Sequence, residues 1–239
     1  MKKVFIDAGA NIGQSARSFL SEWPLADEFQ IYCFEPSQGK NIRDSLKKLE
    51  QDFSNVKVFE NAIWIKDETL TFYDEEKTSS SLIKEKLCGS GKETLVSGIN
   101  LSKWIQNNFS QDDEIILKLD IEGTEYEVLE HMVNEFTIFM LDKIFIEIHG
   151  SKCGKTLQET KDLLDLISTT GHKLYEWEGE TFVYKNYEDN FYTEEMIIDL
   201  YKNWSSRGFD SVIQQRKRNN YYHHATFNKD PSIIESRRA

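Results

Sequence analysis

Two carboxylates near the start of the sequence, each at the end of an apolar segment, are its first candidates for binding chemistry. Asp7 ends one segment, and Glu35 ends the second one, roughly twenty residues after the turn between them. This turn contains Gly9, Asn11 and Gly13. Glycines let backbone N–H groups approach a ligand, and a carboxylate at the end of the second strand typically binds ribose hydroxyls. The pattern therefore predicts a nucleotide site between a strand and a helix.

The spacing of the glycines discriminates between classes of nucleotide. A dinucleotide site requires a G-x-G-x-x-G turn to hold pyrophosphate, whereas three other residues separate Gly9 from Gly13. A carboxylate at Asp7 repels phosphate and suits a cationic ligand that carries an amino acid. We therefore expect S-adenosylmethionine, with its α-ammonium group near Asp7 and its ribose diol at Glu35. The glycine turn, with Asn11 inside it, then shapes the cofactor pocket.

A second pair of carboxylates, Asp120 and Glu122, closes the apolar segment at 115–119. The alternation of side chains along a strand places both carboxylates on the same side of the chain. Because close carboxylates repel each other, either one has a raised pKa and acts as a base, or they share Mg²⁺ or Mn²⁺. The spacing is equally compatible with Glu122 as a helix cap and Asp120 at the methionine end of the cofactor.

His149 follows the apolar segment at 144–148 and is the only histidine at a predicted strand end on the edge that holds the other candidates. An ordinary imidazole pKa near ~6.5 suits proton removal around neutral pH. We therefore predict a catalytic group of His149, Asp120 and Glu122, with His149 as the general base. The alternative is a histidine that is hydrogen-bonded for structural reasons.

These residues meet if the sheet is parallel, because the carboxyl ends of its strands then lie at one edge. The alternation of apolar runs with amphipathic stretches predicts such a sheet. Strands are predicted at residues 3–7, 30–35, 56–60, 114–120, 142–149, 172–177 and 181–185. Helices are predicted at residues 13–22, 38–51, 101–108, 124–135 and 155–170.

Two further features modify this alternation. Residues 66–98 contain a threonine-rich strand pattern, a serine cluster from Ser79 to Ser81 and the glycines of 88–91. We interpret them as a β-rich insertion with a mobile loop, placed where it can cover an acceptor. Gly179 lies between the last two predicted strands and predicts the turn of a C-terminal hairpin.

Four segments of the sequence together resemble one known family. They are FIDAGANIG, CFEP, KLDIEGTEYEVL and the later strand IFIEIH, and they fall in this order within roughly residues 3 to 185. The set is similar to the FkbM-type family of S-adenosylmethionine-dependent methyltransferases, and its D-x-E-G-x-E element is the most specific part. The resemblance implies an α/β, class I methyltransferase Rossmann-like fold. Such a fold has a mostly parallel sheet, here with an antiparallel C-terminal hairpin, and helices on both faces.

The resemblance also implies an activity. Characterised members of the family are mostly O-methyltransferases that act on sugars and secondary metabolites. We therefore expect methyl transfer to a hydroxyl of a carbohydrate, with Asn61 and Ala62 in the loop on the adenine side of the cofactor. Two alternatives stay open: a methyltransferase-like protein that binds the cofactor without turnover, and an NAD-dependent oxidoreductase, which the glycine spacing disfavours.

The charge of the chain excludes one class of partner. Its 239 residues carry a net charge of −12, whereas a nucleic-acid substrate demands a basic surface. We therefore expect a small-molecule or glycan acceptor. No apolar run approaches the ~20 residues that span a bilayer, and no signal-type segment precedes the first strand, so a cytoplasmic setting is expected. The oligomeric state is left open.

The length suits one catalytic domain with a tail. We predict a methyltransferase domain over residues 1–190 and a C-terminal helical extension and tail over residues 191–239. The three cysteines, Cys33, Cys88 and Cys153, show no paired C-x-x-C spacing. They are therefore predicted to be free thiols rather than partners in disulfides or a zinc site.

Overall fold

A computed structural model of the chain describes residues 1–74, 80–84, 92–177 and 184–205. The strands are β1 (Lys3–Ala8), β2 (Phe29–Phe34), β3 (Val56–Phe59), β4 (Asn61–Trp64), β5 (Thr69–Asp74), β6 (Lys92–Asn100), β7 (Glu114–Leu119), β8 (Lys143–Ile146) and β9 (Leu174–Glu176). The helices are α1 (Gln14–Glu22), α2 (Lys40–Asp52), α3 (Leu101–Asn108), α4 (Glu125–Asn134), α5 (Leu157–Thr169) and α6 (Glu194–Ser205). Short 3₁₀ helices lie at Ala26–Glu28, Thr137–Met140, Gly150–Cys153 and Tyr184–Asp189.

Six of the described strands form one sheet in the order β3-β2-β1-β7-β8-β9. Every neighbouring pair in this sheet is parallel, which confirms the predicted arrangement. In the register of the sheet, Asp7 of β1 lies beside Cys33 of β2 and beside Lys118 of β7. Since parallel neighbours end on the same side, the carboxyl ends of the strands meet at one edge.

Both faces of the sheet are buried, because its strands are almost continuously apolar. On one face, Val4 and Ile6 belong to an apolar cluster that includes Leu129 of α4 and other residues of α3 and α5. On the other face, Phe5 stacks on Phe19 of α1 with ring centroids 4.0 Å apart. Helices therefore cover both faces, and the fold is the predicted α/β Rossmann-like one.

The chain changes direction across the sheet between β1 and β7. From β1 it passes outward to β2 and β3, and it then returns to place β7, β8 and β9 on the opposite side. Ligands of open α/β sheets bind at the carboxyl ends of the strands beside such a switch point. The fold therefore predicts a ligand site at the carboxyl ends of β1, β2 and β7.

The strands of a second, three-stranded sheet lie between β3 and β7 in the sequence. Its central strand β6 pairs in parallel with β4 and antiparallel with β5, which confirms the predicted β-rich insertion. Residues 80–84 return to this sheet through an antiparallel bridge between Tyr73 and Ser81. The predicted mobile loop falls largely on Ser79 and on residues 88–91, which lie outside the described residues.

The outer edge of the main sheet at β9 differs in detail from the prediction. β9 matches the strand predicted at 172–177, but the turn at Gly179 and most of the strand predicted at 181–185 lie outside the described residues. The next described element is a 3₁₀ helix, and the antiparallel neighbour of β9 is a bridge between Tyr175 and Phe191. Within the described residues, the chain thus returns to this edge at Phe191.

Helix α6 lies within the extension predicted over residues 191–239. Its Ile197 and Tyr201 are buried in the apolar cluster of the main sheet, and the Tyr201 hydroxyl is hydrogen-bonded to Thr160 of α5. Residues 206–239 lie outside the described residues, and the domain boundary at residue 190 stays a prediction. In the part of the chain that is described, every helix is too short or too polar to cross a membrane.

Candidate active site

A cleft lies at the carboxyl ends of β1, β2 and β7, beside the switch point of the sheet. Six polar residues line it: Asn11, Glu35, Ser80, Asp120, Glu122 and Thr124. The lining includes four residues predicted to bind the cofactor, Gly9, Asn11, Glu35 and Ala62, and two predicted to be catalytic, Asp120 and Glu122. The other predicted residues, which do not line it, are Asp7, Gly13, Asn61 and His149.

The turn after β1 packs directly on the end of β7. Gly9 has a φ of 83° and donates its N–H to the carbonyl oxygen of Phe34 at 2.9 Å. A Cβ atom on Gly9 would lie 1.8 Å from the carbonyl oxygen of Asp120. Because no side chain fits there, glycine at this position allows the turn after β1 and the end of β7 to come into contact.

We expect Gly9→Ala to destabilise the fold by more than the ~1–3 kcal/mol of backbone strain alone, because its methyl group would collide with the Asp120 carbonyl. Gly171 provides a matched control, since it has a φ of 84° at an exposed position. Unfolding in guanidinium chloride measures both variants against the original protein. Equal losses for Gly9→Ala and Gly171→Ala would contradict the close packing of the turn.

Glu35 is anchored at the end of β2 by two backbone donors. Its Oε2 accepts the N–H of Asn11 at 2.8 Å, and its Oε1 accepts the N–H of Ser37 at 2.9 Å. Burial raises the pKa of this carboxyl, while the two N–H groups oppose the rise. Since a carboxylate oxygen accepts more than one hydrogen bond, both oxygens keep an acceptor position for a ligand.

The apolar part of the cleft comes from the end of β2, from the second sheet and from residue 82: Phe34, Pro36, Ala62, Ile63, Phe72 and Leu82. Asn61 is not part of this lining, and its Nδ2 donates to the carbonyl oxygen of Ser97 at 3.4 Å. Gly13 precedes α1, and a Cβ atom there would come within 2.8 Å of Leu49. Gly13 therefore shapes the pocket indirectly, because it lets α1 pack closely on α2.

Asp7 is fully buried, and this placement does not favour the predicted contact with the cofactor. Its Oδ1 lies 3.3 Å from Nζ of Lys118, which is itself 1% exposed. The same Nζ donates to the carbonyl oxygen of Gly9 at 3.0 Å and to Oδ2 of Asp120 at 3.1 Å. Burial raises the pKa of Asp7, against the effect of Lys118. Asp7 thus acts on the cleft through Lys118.

The three predicted catalytic residues meet at the ends of β7 and β8. Nε2 of His149 lies 3.8 Å from Oδ1 of Asp120 and 3.4 Å from Oε2 of Glu122. Glu147 adds a further carboxylate, with Oε1 at 3.1 Å from the same nitrogen. Asp120, Glu122 and His149 each offer one donor atom, and these atoms lie within 4.8 Å of one another. The structure therefore brings together all three residues.

Glu125, the first residue of α4, holds His149 from the other side. Its Oε1 lies 3.0 Å from Nδ1 of His149, and both residues are buried. The same carboxylate accepts the N–H groups of Ile121 and Gly123, at distances of 2.9 to 3.1 Å. One side chain thus fixes both the imidazole and the loop between β7 and α4.

Glu122 lies on that loop in a left-handed backbone conformation, with a φ of 59° that is uncommon for residues other than glycine. Its carbonyl oxygen accepts a hydrogen bond from Ser81 Oγ at 2.6 Å and one from Cys153 Sγ at 3.4 Å. Strain of this kind costs about 1–3 kcal/mol and is concentrated at functional sites. The two hydrogen bonds hold Glu122 in the conformation in which it lines the cleft.

The surrounding carboxylates change the chemistry of His149. Burial alone would lower its pKa, but the hydrogen bond and charge of Glu125, together with Glu147 and Glu122, raise the pKa to about 10. Burial alone would raise the pKa of Glu147, yet His149 and Lys152 lower it to about 2. His149 in this environment is an imidazolium at neutral pH. This protonation state does not favour the predicted role as a general base.

Sequence reasoning missed three charged residues that contact the predicted site residues. Lys118 interrupts the apolar run of β7, and a charge inside a buried strand is a signal that it has a partner. Glu147 precedes His149 by two residues, so strand alternation places the two on one side. Glu125 gave no such signal, because a carboxylate in the first turn of a helix is ordinarily a complement to the helix dipole.

The fold and the cleft together define an α/β protein with a ligand site at the switch point of a parallel sheet. The family described as Methyltransferase FkbM domain matches residues 7–174, which is more than half of the chain. The chain therefore belongs to the FkbM methyltransferase family, and the matched range contains every residue named above as lining the cleft. Among curated proteins and among solved structures, the comparison finds no match.

Proposed function

We propose that the protein is an S-adenosylmethionine-dependent O-methyltransferase that acts on a hydroxyl of a carbohydrate, either a glycan or a sugar-containing metabolite. One observation carries the proposal. In a member of a methyltransferase family, a single cleft joins the glycine turn and Glu35 to the carboxylates Asp120 and Glu122. The acceptor class is supported by the resemblance of the sequence motifs to this family.

The residues of the cleft fit the chemistry of S-adenosylmethionine. Glu35 offers acceptor positions for two ribose hydroxyls, and the apolar lining at Pro36 and Ile63 suits an adenine ring. Beyond the turn of β1, the carboxylates Asp120 and Glu122 suit the ammonium and sulfonium charges at the other end of this cofactor. The order β2-β1-β7 in the sheet supports this assignment, with the ribose at β2, the glycine turn after β1 and the methionine end at β7.

Methyl transfer to a hydroxyl requires alignment of three atoms and removal of one proton. When bound, S-adenosylmethionine supplies an electrophilic methyl carbon, and its sulfur keeps the electron pair as the acceptor oxygen bonds to that carbon. We assign the hydroxyl proton to Glu122, whose carboxylate lines the cleft from a strained loop. Asp120 is held by Lys118 and orients the reactants, and His149 holds the Glu122 carboxylate in place.

S-adenosylhomocysteine is expected to raise the melting temperature of the protein, whereas NAD is not, since the acidic cleft repels a pyrophosphate. A ligand that binds only the folded state stabilises it by about 2.7 kcal/mol at a hundredfold excess over its Kd. Glu35→Gln should weaken binding of S-adenosylhomocysteine, and Glu22→Gln, at an exposed position of α1, should not. Calorimetric binding of NAD without any response to S-adenosylhomocysteine would contradict the cofactor assignment.

Turnover is tested with S-adenosylmethionine that carries a labelled methyl group and with a panel of carbohydrates. Label recovered as a methyl ether on a sugar hydroxyl supports the proposed reaction. Tight binding of S-adenosylhomocysteine without transfer to any acceptor would instead favour a cofactor-binding protein without turnover.

A further inference from the structure

We propose that the polar part of the cleft binds a divalent cation of the Mn²⁺ type, with Asp120, Glu122 and His149 as its protein ligands. The proposal rests on the proposed function, because it adds a cation to the site to which methyl transfer is assigned. It has consequences of its own, since cation binding needs neither the methyl donor nor the acceptor.

The donor set is the first argument for the cation. One carboxylate oxygen each from Asp120 and Glu122 and Nε2 of His149 lie within 4.8 Å of one another, close enough to share one ion. Carboxylates suit Mg²⁺, Ca²⁺ and Mn²⁺, whereas imidazole suits transition metals. Mg²⁺ in proteins usually keeps several waters and binds through oxygen. A mixed set of two carboxylates and one imidazole therefore favours Mn²⁺ over Mg²⁺.

The hydrogen bond behind His149 is the second argument. Glu125 Oε1 accepts from Nδ1 of His149 at 3.0 Å if that nitrogen carries the proton, and Nε2 then faces Asp120 and Glu122. Histidines that bind metals typically donate their other ring N–H to a carboxylate in this way, which fixes the tautomer. Because Glu125 also anchors the backbone of Ile121 and Gly123, it holds imidazole and carboxylates in one arrangement.

The balance of charge around the imidazole is the third argument. Four carboxylates surround it: Asp120, Glu122, Glu125 and Glu147. Among the residues that the structure describes, two ammonium groups oppose them, since Lys118 Nζ lies 3.1 Å from Asp120 and Lys152 Nζ lies 3.8 Å from Glu147. Among the described residues the carboxylates thus outnumber the ammonium groups, and a divalent cation bound at Nε2 in place of the imidazolium proton compensates this excess of negative charge.

A buried hydroxyl in the same lining points independently to a ligand. Thr124 lines the cleft next to Asp120 and Glu122, and the residue is only 4% exposed. Its Oγ1 has no hydrogen-bond partner among the residues that the structure describes. Buried polar groups ordinarily have a partner, and a water molecule on the cation, or the acceptor itself, supplies one here.

The cation gives the acceptor hydroxyl a second source of activation. A bound cation polarises an oxygen ligand and lowers the pKa of its proton. The cation would stabilise the negative charge that develops on the acceptor oxygen, and the oxygen of Glu122 that does not bind the ion would receive the proton. This role complements the proton transfer assigned to Glu122 and needs no redox change of the metal.

The experiment uses MnCl₂ with the full chain and without S-adenosylmethionine. Electron paramagnetic resonance is expected to show Mn²⁺ bound to the protein, and spin-echo modulation should show a directly coordinated imidazole nitrogen. His149→Gln should abolish the nitrogen modulation and weaken Mn²⁺ binding by about 100-fold, and Glu125→Gln by ~10–100-fold. His131→Gln, which changes a histidine on α4 outside the cleft, is the matched control and should keep both signals.

Absence of Mn²⁺ binding would overturn the inference, and so would either of two further results. One is bound Mn²⁺ whose spectrum lacks coordinated nitrogen in the original protein, a measurement that does not depend on how any variant folds. The other is a His149→Gln protein that keeps its circular dichroism spectrum and the original affinity for Mn²⁺. If S-adenosylhomocysteine binds while Mn²⁺ does not, the cation site is wrong, but the proposed methyl transfer is not contradicted.

Discussion

Glu122→Gln is expected to lower kcat for methyl transfer by ~10²–10⁴, with little change in the affinity for S-adenosylhomocysteine. Glutamine keeps the size of the side chain, but its amide cannot accept the acceptor proton. Glu122 lines the cleft with its Oε2 at 3.4 Å from Nε2 of His149, where the proposed reaction requires a base. Because its strained backbone is held by Ser81 and Cys153, the substitution should leave the loop in place.

Steady-state kinetics with both substrates separate this effect from a loss of binding. A catalytic role predicts a fall in kcat at nearly unchanged KM for S-adenosylmethionine, whereas a structural role moves both constants and the melting temperature. Glu135→Gln, at an exposed position after α4, is the matched control and should retain the original kcat. A Glu122→Gln enzyme with full kcat would transfer the role of base to Asp120.

The convergence of the catalytic residues could be predicted because it follows from topology. Asp120 and His149 each come just after an apolar run, and parallel strands bring such ends to one edge of the sheet. Glu35 followed from the same rule. For these positions the sequence pattern is sufficient. The hydrophobic period and the polar residue after it locate the end of each strand, and a parallel sheet brings those ends to one edge.

The charge pairs behind the cleft could not be predicted in this way. Lys118 meets Asp7 because β1 and β7 are adjacent and in register, although 111 residues separate the two side chains. Neither strand order nor register can be derived from hydrophobic periodicity in one sequence. Without Lys118 as a partner, the sequence pattern assigns the carboxylate at the end of the first strand to the ligand and gives no sign that this side chain is buried.

The roles of Glu125 and His149 illustrate a second limit. The sequence alone suggests an ordinary pKa for His149, because it does not show the neighbours of the imidazole. In the structure, Glu125 and Glu147 raise this pKa. Each miss concerns contacts between elements rather than the elements themselves.

Lys118→Met is expected to destabilise the protein by ~3–5 kcal/mol, the typical loss when one partner of a buried ion pair is removed. Burial alone would lower the pKa of Lys118, but Asp120 and Asp7 raise it above its ordinary value, so this lysine is charged in the folded protein. Methionine matches its length but leaves Asp7 buried without a cation. Urea unfolding measures the loss, and Lys57→Met, at an exposed position of β3, is the control.

The pH dependence of the same variant identifies the group responsible. Burial already raises the pKa of Asp7 above its unfolded value of ~3.9, and removal of Lys118 raises it further. A raised folded-state pKa means that protonation favours the folded state, so Lys118→Met should regain stability as the pH falls towards ~3.9 and lose it as the pH rises through the folded-state pKa. The double variant Lys118→Met with Asp7→Asn should recover much of the loss at neutral pH. A double variant whose loss equals the sum of the two single losses would mean that the pair is not coupled, and Lys118 would then act through Gly9 and Asp120 alone.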